Sequence, residues 1–396
     1  MSTLMTRSRG AVRVAAREPA QPVNTMLLMM LMLTGIGLVM MTSASMEIGN
    51  SQMGDPLYFF KRQVFFIVVG LGLVAVALKI PMRLWYQASA PLLAVAILLL
   101  ILVLIPGVGT VVNGSARWLD LGFYRLQPSE MTKVFMVFFM AAFLSRRREE
   151  VQLSWSGFLK PMVIMGGAVV LLHFEPDHGA MVILMATTFT LLFLAGAKLH
   201  RFMFLVMLCF AAFAWLAISK PYVINRLTSF LNPWAAEYVY GEGYQLTQAL
   251  IAFGRGEWFG VGLGSSIQKL YFLPEAHTDF VLSILAEELG LAGVLVVLSL
   301  FCVLILTAFR VGRAAEAQQN YFNAYVAYGL AMIFATQVFI NFGVNTGLLP
   351  TKGLTLPFLS YGGNSLLISF FMIGVLMRID YELTNGSSVI EQEDAA

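Results

Sequence analysis

The chain has 396 residues, of which 59% are hydrophobic and only 12% charged, whereas an ordinary soluble domain carries about 25% charged residues. With a mean hydropathy of +0.78, this excludes a soluble globular protein and predicts an all-α, polytopic membrane protein. The net charge of +3 arises from 25 basic and 22 acidic residues dispersed along the chain, which excludes a nucleic-acid-binding surface.

Apolar runs long enough to cross a bilayer occur at about 25–44, 63–80, 88–106, 129–144, 157–174, 179–197, 202–219, 280–308, 321–343 and 364–380, which predicts ten transmembrane helices. Each must be helical, because the hydrocarbon offers no water to satisfy an open backbone. The first run follows a basic tail (Arg7, Arg9, Arg13, Arg17) and reads as a retained signal anchor. With that tail inside, Arg83, Arg146-Arg147-Arg148, Lys160, Lys198, Arg310 and Arg378 also fall on the cytoplasmic side, so both termini are expected there. Residues 1–22 and 383–396 read as disordered basic and acidic tails flanking a membrane domain over 23–382. Cys209 and Cys302 lie inside apolar runs, so neither a disulfide framework nor a Cys-based metal site is implied.

Outside the membrane the larger segments are 106–128, 220–279 and 344–363, all extracytoplasmic in this topology, with a large loop between helices 7 and 8. Within that loop the amphipathic stretch Tyr244 to Phe253 predicts a short helix lying on the membrane surface. Gly254 to Gly264 has the glycines of a phosphate-binding loop but no Gly-Lys-Ser/Thr ending, so flexible or close-packed backbone is the better reading.

The strongest chemical constellation is Pro274 to Phe280, with Glu275, His277 and Asp279, running into Glu287-Glu288-Leu289-Gly290 at the outer end of the eighth span. Asp279 sits where loop meets hydrocarbon. Desolvation raises its pKa, and a hydrogen-bonding His277 or a cation lowers it, so a tuned general base is one reading. Helix capping by Asp279 or Thr278, with Glu287 and Glu288 positioning the loop, is the other. A second cluster comprises Asn113 to Trp118 and Gln127 to Lys133. Glu130 and Lys133 are three apart and should pair on one helix face, while an exposed Arg117 guanidinium suits a phosphate. Lys352, between Pro350 and Pro357, is a further cation that either binds or merely snorkels. His173, Glu175, Asp177 and His178 have the chemistry of metal ligands, but Pro176-Asp177 reads more simply as a turn with Asp177 capping the next helix.

The stretches Phe60-Lys61-Arg62-Gln63, Asn113 to Trp118, Gln127 to Lys133, Gly243 to Leu246, Gly254-Arg255-Gly256, Pro274 to Phe280, Glu287 to Gly290 and Ser360 to Gly363 together resemble the SEDS family (shape, elongation, division, sporulation) over about residues 25–382. Thr351 to Pro357 is similar to its division branch rather than its elongation branch. The resemblance implies a ten-helix peptidoglycan glycosyltransferase of the bacterial inner membrane, working at the division septum. It would polymerise lipid II, the undecaprenyl-pyrophosphate disaccharide-pentapeptide, with a class B penicillin-binding protein and other divisome membrane proteins as partners. It assigns Asp279 as the essential acid. Around it, Arg117, Lys352 and Arg255 would bind the substrate's pyrophosphate, with Glu130, Lys133 and His277 orienting the site. No cofactor is specified, and a divalent cation stays open. The rival readings are a lipid II transporter, which needs charges near the bilayer midplane and paired broken helices, and a non-catalytic divisome scaffold. Glu175 and His178 depart from the family pattern, which often has a glutamine and an apolar residue there.

Overall fold

In the computed structural model the described residues are 21–112, 115–122, 124–204, 206–207, 228–351 and 353–386. Apart from the run at 202–219, most of which lies outside them, each apolar run forms a helix. These are α1 (Gln21–Met53), α2 (Tyr58–Lys79), α3 (Met82–Val103), α4 (Pro128–Arg146), α6 (Trp155–Phe174), α7 (His178–Leu194), α9 (Val281–Ala317), α10 (Tyr321–Asn345) and α11 (Gly363–Asn385). A short α5 (Arg148–Leu153) links α4 to α6, and α8 (Tyr244–Gly256) is the helix expected from the amphipathic stretch. Both expected terminal tails lie largely outside the described residues.

Among the described residues six helices are long and apolar enough to cross a membrane: α1 (from Pro22), α2, α3, α6, α9 and α10. The other apolar runs form helices with a protein-lined environment. α4 is buried along nearly its whole length from Pro128 to Leu144 although it carries Glu130 and Lys133, and α11 carries Arg378, Asp380 and Glu382. Helices surrounded by other helices need not be uniformly apolar, since lipid never touches most of their surface. α10 packs on α4, α7 and α9, while α11 lies along α2 and α1 along α9.

The expectation of an all-α chain needs one correction. Within 106–128 a small antiparallel sheet forms in the order β1 (Gly109–Val112), β2 (Ser115–Asp120), β3 (Arg125–Leu126), with Val112 opposite Ser115 and Asp120 opposite Arg125. The sequence signal is Asn113-Gly114 between Val111-Val112 and Ser115-Ala116, the dipeptide most favoured in two-residue hairpin turns. A twelve-residue hairpin is too short for a hydropathy window to register.

The 37 residues of α9 are not one continuous rod, because Gly290 has φ 68° and ψ −170°. A side chain there would be strained by that φ, and its Cβ would lie 2.4 Å from the Gly260 nitrogen. The glycine-rich 254–264 segment is thus close-packed backbone. It bonds across the break through Val261 N to Glu287 O (2.9 Å) and Leu291 N to Glu257 O (2.9 Å). The side chains of Glu287 and Glu288 complete the anchorage, as the loop-positioning reading expected. Glu287 accepts from Arg255 (2.6 Å), Ser266, and the backbone of Ile267 (3.1 Å) and Gln268 (3.3 Å). Glu288 accepts from Ser43 of α1 (2.8 Å) and from Lys269 (2.7 Å). Both glutamates are fully buried, so truncating either would strand a cation or several N–H groups.

Candidate active site

Asp279 lies just before the start of α9, and its carboxylate faces a cavity of about 450 Å³. The walls come from β2 (Arg117, Trp118), the start of α4 (Gln127, Glu130), the start of α7 (Asp177), the α9 approach (Glu275, Thr278) and the 353–365 segment. α9 is capped at Phe280 without any side-chain bond, so Asp279 is not the capping residue. Its backbone carbonyl, not its carboxylate, is the fixed part. It accepts from Asn341 Nδ2 (3.1 Å) and Asn345 Nδ2 (3.1 Å) of α10, and Asn341 also donates to Leu354 O (2.6 Å). One turn earlier Gln337 donates to Thr355 O (2.9 Å). Gln337, Asn341 and Asn345 form one polar stripe that ties the Asp279 strand to the 354–355 strand. Sequence reasoning missed them, although amides four apart in an apolar helix are a readable signal.

Opposite Asp279 the backbone comes very close: a Cβ on Gly353 would meet Oδ2 at 2.7 Å. Burial, reinforced by the charge of Glu275 and opposed by Arg117, pushes the Asp279 pKa up to about 7. A carboxylate so tuned is half-ionised near neutral pH, which suits a proton acceptor. His277 does not hydrogen-bond Asp279. Its ring packs against Phe59 (4.9 Å) and Tyr361 (5.9 Å), its Nδ1 is buried without a partner, and burial lowers its pKa, so it is a neutral packing group that does not line the cavity.

The other expected site residues divide. Glu130 reaches the cavity and pairs with Lys133 at 2.9 Å, with the lysine side chain only 1% exposed. Arg117 lines the same cavity but is not the free, exposed guanidinium anticipated. Half-buried, it donates from Nη2 to Pro176 O (2.6 Å) and from Nε to Glu175 O (3.3 Å), because the α6–α7 turn presents two carbonyls to it. Arg255 is elsewhere: it is bound to Glu287 in the loop anchorage and does not line this cavity. Lys352 lies outside the described residues. Asp177 caps α7 through Ala180 N (3.2 Å) and accepts from Ser129 (2.7 Å), so its oxygens are structurally engaged. Glu175 is buried with neither oxygen partnered, and burial together with Asp177 raises its pKa to about 8, so it is held protonated at neutral pH. Among the described residues no group of three or more His, Cys, Asp or Glu side chains is placed to hold a metal ion.

Of the described lining residues Arg117 alone is cationic, against Glu130, Asp177, Glu275 and Asp279. The missing positive charge lies next door. A second basin of about 530 Å³ shares Trp118, Tyr361, Gly363 and Asn364 with the first and adds Arg62, Arg125, Tyr58 and Tyr124. Arg62 lies 5.7 Å above the Tyr58 ring and donates to its hydroxyl (2.9 Å), and Arg125 is held loosely by Asp120 at 3.5 Å. Asn364 joins the two basins: it accepts from Gln127 N (3.0 Å) and donates to Arg125 O (2.8 Å). The result is one groove, acidic at one end and cationic-aromatic at the other.

Comparison with known proteins places this geometry. A solved structure described as "Structural coordination of polymerization and crosslinking by a peptidoglycan synthase complex" contains a chain that superposes with a TM-score of 0.75 at 26% identity, covering 90% of this chain and 97% of that one. The crystal structure of the Thermus thermophilus rod shape determining protein RodA gives 0.66 at 25% identity, covering 90% and 96%. In sequence, the chain is 51% identical over 355 residues to the "Probable peptidoglycan glycosyltransferase FtsW" of Thioalkalivibrio sulfidiphilus, covering 90% of this chain and 88% of that protein. The family model described as "Cell cycle protein" matches residues 24–385, and the chain belongs to that family, which unites FtsW, RodA and SpoVE.

Proposed function

We infer that this chain is a peptidoglycan glycosyltransferase of the division type, a multi-pass membrane protein that polymerises lipid II into β-1,4-linked glycan. The observation that carries the reading is the Asp279 carboxylate, held near neutral pKa in the wall of an open cavity that continues into a cationic-aromatic groove. Lengthening a glycan requires the 4-hydroxyl of one GlcNAc to lose its proton while its oxygen bonds to C1 of a MurNAc. The bond from that C1 to the lipid pyrophosphate breaks at the same time. Asp279 takes the proton. The departing pyrophosphate gathers negative charge, which is disfavoured beside Glu130 and Glu275 and favoured beside Arg62 and Arg125. Polarity of the groove therefore directs the leaving group away from the base. Arg117, already fixed on two carbonyls, offers its remaining donors in the acidic cavity beside Asp279. A single direct displacement inverts C1, turning an α-linked lipid phosphate into a β-linked glycan.

The remaining topology follows from the charge distribution. Ten spans with both termini cytoplasmic place the groove on the outer face, where the septal enzyme would meet a class B penicillin-binding partner. The test is Asp279→Asn, assayed by glycan length from purified lipid II with that partner present. Asparagine keeps the shape but has no useful proton affinity, and losing base catalysis costs about 10²–10⁴ in rate. Unchanged expression and partner binding with abolished polymerisation is expected. A near wild-type rate removes Asp279 as base and returns the transporter reading.

A further inference from the structure

At the end of α4 opposite the groove, α4 and α6 line an open crevice of about 700 Å³. Its floor is apolar: Phe139 and Phe143 from α4, Val163 and Ile164 from α6. Val163 is 72% exposed, so the crevice is open along its length to the surroundings of the helices. Its mouth is basic, formed by Arg146, Arg147 and Lys160. Glu150 pairs with Arg147 (3.3 Å) and with Lys160, which leaves the mouth with three cations against one bound carboxylate. Glu149 stands on the same short helix α5. Arg146 has no acidic partner among the described residues; its guanidinium is held 5.4 Å above the Tyr86 ring of α3, and Arg147 lies 5.7 Å from the Phe143 ring. Contact with the rings holds both guanidinium groups at the mouth, and Arg146, with no acidic partner among the described residues, keeps its N–H donors for an anion while Arg147 shares Glu150.

We propose that the α4–α6 crevice binds one anionic phospholipid, its phosphate between Arg146, Arg147 and Lys160 and an acyl chain along Phe139, Phe143, Val163 and Ile164. A basic run near a membrane surface is sufficiently explained by orientation alone. What orientation does not require is an open, aromatic-lined apolar crevice adjoining the cations. Basic pockets between transmembrane helices suit anionic headgroups. The site is separate from the groove, and the proposal stands whichever reaction the groove performs.

The experiment uses the full-length protein in nanodiscs of phosphatidylcholine doped with phosphatidylglycerol, with retained lipids counted by native mass spectrometry after graded delipidation. One phosphatidylglycerol is expected to persist, with phosphatidylcholine lost first and soluble glycerol phosphate unable to displace it. The double variant Arg146→Gln, Arg147→Gln should weaken retention about tenfold or more. Val163→Trp, which fills the slot and leaves every charge in place, should also expel the lipid and keeps the test decisive if the double variant does not fold. Equal retention of both lipids, displacement by glycerol phosphate, or retention unchanged in Val163→Trp overturns the proposal.

Discussion

The titration of Asp279 makes a quantitative prediction about Glu275. With its pKa pushed up to about 7 from 3.8, Asp279 is disfavoured as an anion by roughly 4 kcal/mol relative to a free carboxylate. At pH 6 about one tenth of the enzyme is then in the base-competent form and at pH 8 about nine tenths, so the polymerisation rate should rise about tenfold between them and flatten above pH 8. Burial is the larger cause and the Glu275 charge the second. Glu275→Gln keeps the length of the side chain and the acceptor for Thr278 Oγ1, which lies 2.7 Å from Glu275 Oε2. It removes only the charge. A like charge acting across a partly solvated site is worth about 1–2 kcal/mol, so the midpoint should fall by about one unit. The sign follows from protonation: a lower Asp279 pKa means more ionised base in acid. The variant should therefore outpace wild type several-fold relative to its own plateau at pH 6 and match its pH-independence at pH 8. The assay is the initial rate of lipid II consumption from pH 5.5 to 8.5 with the partner present, at lipid II well below KM, where the profile reports the free enzyme. An acid limb that does not move in Glu275→Gln, or a wild-type profile flat from pH 5.5, would refute the assignment of that limb to Asp279.

Two other substitutions probe the scaffold. Glu130→Ala leaves the Lys133 ammonium buried without its partner and should cost about 3–5 kcal/mol, as removing one member of a buried pair does. Thermal unfolding in detergent should show it as a large fall in Tm, and Glu130→Ala, Lys133→Met should recover most of the loss. Gly290→Ala places a methyl 2.4 Å from the Gly260 nitrogen at a φ of 68°, so it should destabilise the protein by at least 1–3 kcal/mol. Leu291→Ala, at an exposed neighbouring position, should change Tm by much less, and equal effects would contradict a specific backbone requirement.

Much of this architecture was legible because bilayer crossing forces a long apolar period, and nine of the ten runs emerged as helices among the described residues, with ends shifted by up to nine residues. The hairpin at 109–126 escaped because strand signals over four to six residues are weak, and only Asn113-Gly114 marked it. Within the site, the Glu130–Lys133 pair was readable from spacing alone, since i and i+3 share a helix face. Arg117 was placed in the right cavity for an incomplete reason: nothing in the chain order announces that the 175–176 carbonyls will fold against it. Arg255 shows the converse, a cation that reads as a substrate ligand until its neighbour in space, 32 residues onward, claims it. Arg62 lay within a resembling motif, but its place in the groove depends on how α2 meets the sheet, and that is a tertiary fact.

The reach of α1 fixes where any chemistry takes place. Its 33 residues would run about 50 Å, against the roughly 30 Å of a bilayer's hydrocarbon core. Counted from Thr25, Ser43 stands about 27 Å along the axis, and there it bonds Glu288 at 2.8 Å, so on the proposed topology this anchorage falls at the outer edge of the hydrocarbon, the waterline. The final turns of α1 rise above it as a mast, and Met53 at the masthead lines the cationic-aromatic basin. On the proposed topology the groove would stand within the headgroup layer and just above it, at the height of a lipid-linked pyrophosphate. On the proposed reaction a substrate lipid would reach Asp279 by drifting sideways with its tail still submerged, and a thicker bilayer, by raising the waterline against a mast of fixed length, would flood that approach with acyl chains.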